Sequence, residues 1–281
     1  MRPITLLALA CLASCLSASA AEHDSLAAEC PTEVHYAAVG GAAASLAELH
    51  ALASARLAAL HLTPAWTEEG AAAFTDSASD RARLERLLQV VLPAMERYPL
   101  AFFERMGLTQ VALVKDLRVA GQARRAMPAP ERDTIVYADN NDKLCPAGME
   151  LRAHHELYHV VEYRLFKDFY YRDPRWLALN APGQAYGQGG ATAYGIGFDN
   201  LGHPSTGLVS RYAAFGPEED KAEVFGWMMT SAYAQRVQGW AGADAVLAAK
   251  RGYLVAALQA KTDGAMDEAF FTHLAQPVRA P

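Results

Sequence analysis

His155-Glu156-Leu157-Tyr158-His159, set in an apolar stretch that opens near Pro146, decides how this chain is read. In a helix, two imidazoles four residues apart lie on one face and can hold a single metal ion. The carboxylate of Glu156, beside them, reaches a water on that metal, which is the arrangement of a zinc hydrolase. Five residues of which three are specified also recur by chance. Corroboration has to come from the rest of the chain.

A hydrolytic zinc ion normally takes three protein ligands and leaves its fourth position to water. His155 and His159 supply two. The pattern HExxHxxGxxH would supply a third from the same helix, but its positions hold Glu162 for the glycine and Leu165 for the last histidine. The metzincin arrangement is therefore excluded, which leaves a glutamate from a separate, downstream helix. The best candidate lies in Gly216-Pro217-Glu218-Glu219-Asp220-Lys221-Ala222-Glu223. Glu219 and Glu223 stand four apart and share one helical face, so Glu219 can ligate zinc while Glu223 hydrogen-bonds the free ring nitrogen of a ligand histidine and fixes its tautomer. Acidic residues in a first turn also suit the helix dipole, so this segment takes its meaning from the pairing with HExxH.

HExxH followed by Glu219-Asp220-x-Ala222-Glu223 resembles the gluzincin metallopeptidases. The ExxAE form is similar to that of lethal-factor-type peptidases and of a group of exported bacterial zinc peptidases carrying EDxAE. The resemblance runs from about Thr134 to Met229. It takes in Thr134-Ile135-Val136-Tyr137, Trp176-Leu177 with Asn180, Tyr186-Gly187, and Ser210-Arg211-Tyr212. It implies that Glu219, rather than Glu218 or Glu223, is the third ligand of one zinc ion per chain. It also implies that Tyr212 stabilises the transition state, a role a phenolic O–H serves by hydrogen-bonding a developing oxyanion. His203 is a weaker alternative for that role, and His154, about 100° around the helix from His155, reads as a structural or rim histidine rather than a ligand. The implied fold is α+β and zincin-like, with a small twisted sheet over the HExxH helix and a mainly helical lower part. The expected activity is peptide-bond hydrolysis, with Glu156 as general base and a peptide or protein as substrate. A peptidoglycan amidase or endopeptidase using the same site is the rival reading. A noncatalytic envelope binding module is a third, although a structural zinc site needs no Glu156.

Outside the site, periodicity supplies the frame. Residues 22–79 read as an Ala-rich helical extension with a helix from about Ala44 to Leu60, where His50 and His61 are packing or surface residues. The catalytic domain is expected over 80–281. Leu84, Leu87, Leu88, Val91, Leu92 and Met95 step by three and four, the mark of an amphipathic helix that ends at Tyr98-Pro99. Strand-like runs follow at Gln110–Val114 and Thr134–Ala138, separated by a polar stretch from Gly121 to Arg132. The edge near Thr134–Ala138 is a place for a peptide to add as an extra strand. A loop-rich region spans Tyr171 to Gly216, with a Gly-dense run from Gly183 to Gly202, and helices are expected at Glu218–Arg236, Ala241–Ala260 and Met266–Leu274.

Composition bounds the partners and the compartment. The 281 residues, 52% of them hydrophobic, can bury a core without help from metal or disulfide. With 25 basic against 31 acidic residues, a net charge of -6 and no basic tract, the chain is no candidate for nucleic acid. Met1-Arg2, an apolar run from Ile4 to Leu16 and small residues through Ala21 have the layout of an export signal over 1–21, placing the protein in the periplasm or outside the cell. The run is shorter than the roughly 20 residues of a spanning helix. Leu12-Ala13-Ser14-Cys15 resembles a lipobox, so a lipid anchor at Cys15 is the one expected route to a membrane. Ala18-Ser19-Ala20 suits ordinary cleavage. Cys30 and Cys145 are then left in the mature chain, and export invites a disulfide between them.

Overall fold

The computed structural model of the chain describes residues 36–39, 44–141, 145–193 and 202–276. The export signal, Cys15 and Cys30 lie outside these residues, as do residues 194–201 of the Gly-dense run. Helix α1 (Leu46–Ala58) is opened by a capping box in which Ser45 and Glu48 satisfy each other's backbone N–H groups. Strands β1 (Thr63–Ala65) and β2 (Ala71–Ala72) precede helices α2 (Ala78–Glu96) and α3 (Leu100–Met106). Strands β3 (Gln110–Val114), β4 (Asp116–Val119), β5 (Gln122–Ala123), β6 (Ala126–Ala129) and β7 (Thr134–Ala138) follow. The α-helices that follow among the described residues are α4 (Pro146–Phe166), α5 (Pro174–Leu177), α6 (Pro217–Met229), α7 (Ala234–Ala243), α8 (Ala245–Lys261) and α9 (Glu268–Leu274).

The architecture is α+β, built on a mixed sheet in the order β1-β3-β7-β6. Strands β1, β3 and β7 run parallel, and β6 pairs antiparallel with β7. Side chains alternate across a sheet, and here the two faces have different cores. Val111, Leu113, Ile135 and Tyr137 join the large core formed with the helices. Ala112, Val114, Val136 and Ala138 pack instead with Leu117 in a smaller core, beneath the antiparallel sheet β2-β4-β5. Burial on both faces explains why β3 and β7 read as continuous apolar runs.

Four expectations need correction. Residues 22–79 are not helical throughout, because β1 and β2 lie there and β1 pairs with β3, so packing joins this segment to the central sheet. The polar stretch from Gly121 to Arg132 carries β5 and β6, two and four residues long, which are too short to show an alternation. Strand β7 is central, fully buried and flanked by β3 and β6, so the sheet edge near the site is β6 rather than Thr134–Ala138. Finally, the helix expected over Glu218–Arg236 breaks after Met229. The Thr230 hydroxyl turns back onto the Gly226 carbonyl at 2.7 Å, and Ser231 is drawn onto Glu150. Helix α8 accordingly starts at Ala245, where the Asp244 carboxylate accepts from the N–H groups of Val246 and Leu247.

Two helices carry the site. Pro146 occupies the first turn of α4, Lys167 ends it in the left-handed conformation, and the Tyr137 hydroxyl on β7 donates to the Ala153 carbonyl at 2.9 Å. All thirteen residues of α6 are buried, five of them charged. Cys145, at the N-cap of α4, is disulfide-bonded. Among the described residues no helix is long and apolar enough to cross a membrane.

Candidate metal centre

Helix α4 presents His155 and His159 on one face, and α6 crosses it closely enough to bring Glu219 to the same point. The crossing depends on Gly226: a Cβ there would stand 3.0 Å from Leu151 Cδ1 and 3.2 Å from the Leu151 carbonyl oxygen on α4. His155 Nε2 lies 3.1 Å from Glu219 Oε2 and 3.2 Å from His159 Nε2, and His159 Nε2 lies 3.6 Å from Glu219 Oε2. All three residues are buried, and they form the one group with metal-ligand geometry among the described residues.

This donor set fits a tetrahedral cation. Ligand atoms about 2.0–2.1 Å from such an ion stand about 3.3–3.4 Å from one another, within the spread of the three distances. The Nδ1 atom of His155 is 2.9 Å from Glu223 Oε1, and the Ser210 hydroxyl donates to the other oxygen of Glu223. Glu223 is placed to accept from His155 Nδ1–H, the tautomer that leaves the Nε2 lone pair facing His159 and Glu219. Oε2 of Glu219 is buried and makes no hydrogen bond. Lone pairs that converge in a dry site repel unless a cation or a proton lies between them. Without a metal the chain meets this need with protons: burial pulls the His155 imidazole down, but Glu219 and Glu223 outweigh it and raise its pKa to about 10. Burial likewise opposes ionisation of Glu219, and the two imidazoles override it, holding that carboxyl well below its usual range.

The other expected residues fall around this centre. Glu156 is half-buried on α4, next to the first ligand. Tyr212, buried in a 3₁₀ turn just before α6, has its ring centroid 5.8 Å from that of His155. Its phenol is held neutral by burial and by the charges of Glu219, Glu156 and Glu223. His203 is placed elsewhere, with Nε2 3.1 Å from Asp244 and the ring stacked on Trp240. His154 is wholly buried, and its Nδ1 meets the Tyr98 hydroxyl at 2.7 Å. His50 stacks on Trp66, and the side chain of His61 is exposed. Glu218 is buried beside the site, close against Gly189 and Gly216, and is not one of the three converging ligands.

Several residues at the centre carry no signal in the sequence. Gly190 is one: a Cβ there would fall 1.9 Å from Glu219 Oε1 and 2.5 Å from the Tyr212 hydroxyl, so the backbone of this turn lies directly on both groups. Lys221 and Lys250 are others. Each is fully buried against one carboxylate, Glu162 and Asp220 respectively. Only Ser210 could have been suspected, from its place in the Ser210-Arg211-Tyr212 run.

Comparison of the chain with protein-family models, with curated proteins and with solved structures returns no match. The functional reading therefore rests on the residues themselves.

Proposed function

We propose that the protein is a zinc-dependent peptidase of the gluzincin type, exported from the cell. The observation that carries the proposal is the convergence of two imidazoles and one carboxylate from two helices, with a second carboxylate, Glu223, fixing the tautomer of the first ligand. His155, His159 and Glu219 would hold one zinc ion, which when bound supplies Lewis acidity and makes a water at the site acidic.

The chain's own groups do the rest. Glu156 projects from α4 about 100° on from His155, takes the proton of the attacking water and passes it to the leaving amine. Tyr212, kept neutral by its surroundings, donates its O–H to the carbonyl oxygen as negative charge builds there, a hydrogen bond that strengthens towards the transition state. A peptide would lie along β6, which packs on α4 and ends the sheet. The Arg125 carbonyl accepts from Ala138 N–H at 2.6 Å, so residues 125, 127 and 129 face β7 and the backbones of Ala126 and Pro128 face outward. Pro128 has no N–H to offer, which leaves Ala126 as the outward donor that would set the register of a bound peptide.

The test is a panel assayed with a mixed peptide library and by elemental analysis. Glu156→Gln should retain about one zinc per chain and lose hydrolysis by at least about a hundredfold. Tyr212→Phe should lower kcat with zinc content unchanged. A wild-type chain that holds zinc yet cleaves no peptide, or a Glu156→Gln chain that cleaves normally, would sink the proposal.

A further inference from the structure

Three consecutive residues of α6 reach in three directions, and each is met by a buried partner. Glu219 faces His155 and His159 on α4. Lys221 pairs with Glu162, also on α4, one turn beyond the ligands, and both side chains are fully buried. Asp220 meets other elements. Its Oδ2 accepts from Lys250 Nζ on α8 at 2.6 Å, from Trp176 Nε1 on α5 at 3.1 Å, and from the Tyr186 hydroxyl. Lys250 also donates to the Gly207 carbonyl at 2.9 Å, and the Tyr186 hydroxyl lies 3.1 Å from Asn180 Oδ1. Asp220 thus gathers α5, α8 and both ends of the loop-rich region onto the residue next to a metal ligand.

Buried ion pairs are poor sources of net stability, because desolvating two charges consumes most of what their attraction returns. Directionality is what such pairs supply. Successive residues of a helix are about 100° apart, so Asp220 and Lys221, tied to different neighbouring helices, together oppose rotation of α6 about its axis. A rotation of about 20° at the roughly 6 Å radius of a carboxylate would move Glu219 by about 2 Å, as much as a whole metal–ligand bond. We propose that the Asp220–Lys250 and Lys221–Glu162 pairs are positioning residues for the metal centre, and that Lys250, remote in sequence from every ligand, sets the rotation of α6 that delivers Glu219. The inference rests on the three-ligand reading of the site.

The experiment compares wild type with Lys250→Met and Lys221→Met in the full mature chain. Zinc affinity is measured by competition with a chelator, ligand geometry by the visible spectrum of the cobalt-loaded protein, and fold by unfolding of the metal-free chain. Both variants should bind zinc about 10- to 100-fold more weakly, with an altered cobalt spectrum, while still unfolding cooperatively. Lys250→Met strands Asp220 as a lone buried charge. If it fails to fold, Asp220→Asn combined with Lys250→Met removes both charges and is judged by the same criterion. Folded variants that bind zinc within threefold of wild type, with an unchanged cobalt spectrum, would overturn the inference and leave the metal site standing. A wild-type chain that holds no zinc would sink the metal site, and the inference with it.

Discussion

At the scale of single residues, the centre is defined as much by what is missing as by what is charged. Gly190 has no side chain, and that allows its turn to close over Glu219 and Tyr212: the 1.9 Å and 2.5 Å approaches of a Cβ to these groups leave no room for a methyl. Gly190→Ala should therefore displace the Glu219 carboxylate or lift the turn, and weaken zinc binding by at least about tenfold. Chelator competition on the folded variant would show this, and an unchanged affinity would mean that the turn yields freely. The grouping of His155, His159 and Glu219 could be read from the sequence because helical spacing maps onto one face: His155 and His159, like Glu219 and Glu223, are four apart. Gly190 could not, since its contacts depend on a turn that no periodicity announces. The same holds for Lys250, which no spacing rule connects with Asp220 across thirty residues.

At the scale of elements, the site is the crossing of α4 and α6, where Gly226 comes close against Leu151 and the His155 backbone N, the latter 3.4 Å from where a Cβ would stand. A branched side chain there would push the helices apart and carry Glu219 away from the histidines. Gly226→Val should cost about 1–3 kcal/mol through overpacking and, in the chain that remains folded, reduce zinc affinity as well. Urea unfolding with and without zinc separates the two: a loss of stability with affinity intact would show that α6 adjusts without moving Glu219. Elements with strong local patterns could be read in advance. Strands β3 and β7 fall at Gln110–Val114 and Thr134–Ala138 as expected, because both of their faces are apolar. Helix α2 covers the predicted leucine stripe. The misread elements are those that tertiary contacts impose. Strands β1 and β6 are short and exist because β3 and β7 present unpaired edges, and the break after Met229 exists because Ser231 is held by Glu150.

At the scale of the molecule, Glu150 joins parts of the chain that are far apart in sequence. Its Oε1 accepts from the Ser231 backbone N–H at 3.0 Å and hydroxyl at 2.8 Å, in the turn between α6 and α7, and its other oxygen accepts from the Tyr36 hydroxyl. Arg97, at the end of α2, donates to the same Ser231 hydroxyl at 2.8 Å. One carboxylate on the motif helix thus holds the N-terminal segment, α2 and the end of the ligand-bearing helix together. Burial opposes its ionisation, but His154, Arg97 and Tyr36 prevail and lower its pKa from 4.5 to about 2. The sign of the pH dependence follows. A carboxyl more acidic folded than unfolded stabilises the fold fully above the unfolded value, and this contribution is lost as pH falls from about 4.5 towards 2. The shift corresponds to about 3 kcal/mol. Because metal binding varies with pH in its own right, the measurement belongs to the metal-free chain and to the difference between wild type and Glu150→Gln. Glu150→Gln should be clearly less stable at pH 6, and its deficit should shrink by up to about 3 kcal/mol as urea unfolding is repeated down to about pH 2.5. A deficit that stays constant across that window would mean that the charge of Glu150 contributes nothing, and that hydrogen-bond geometry alone ties these parts of the chain together.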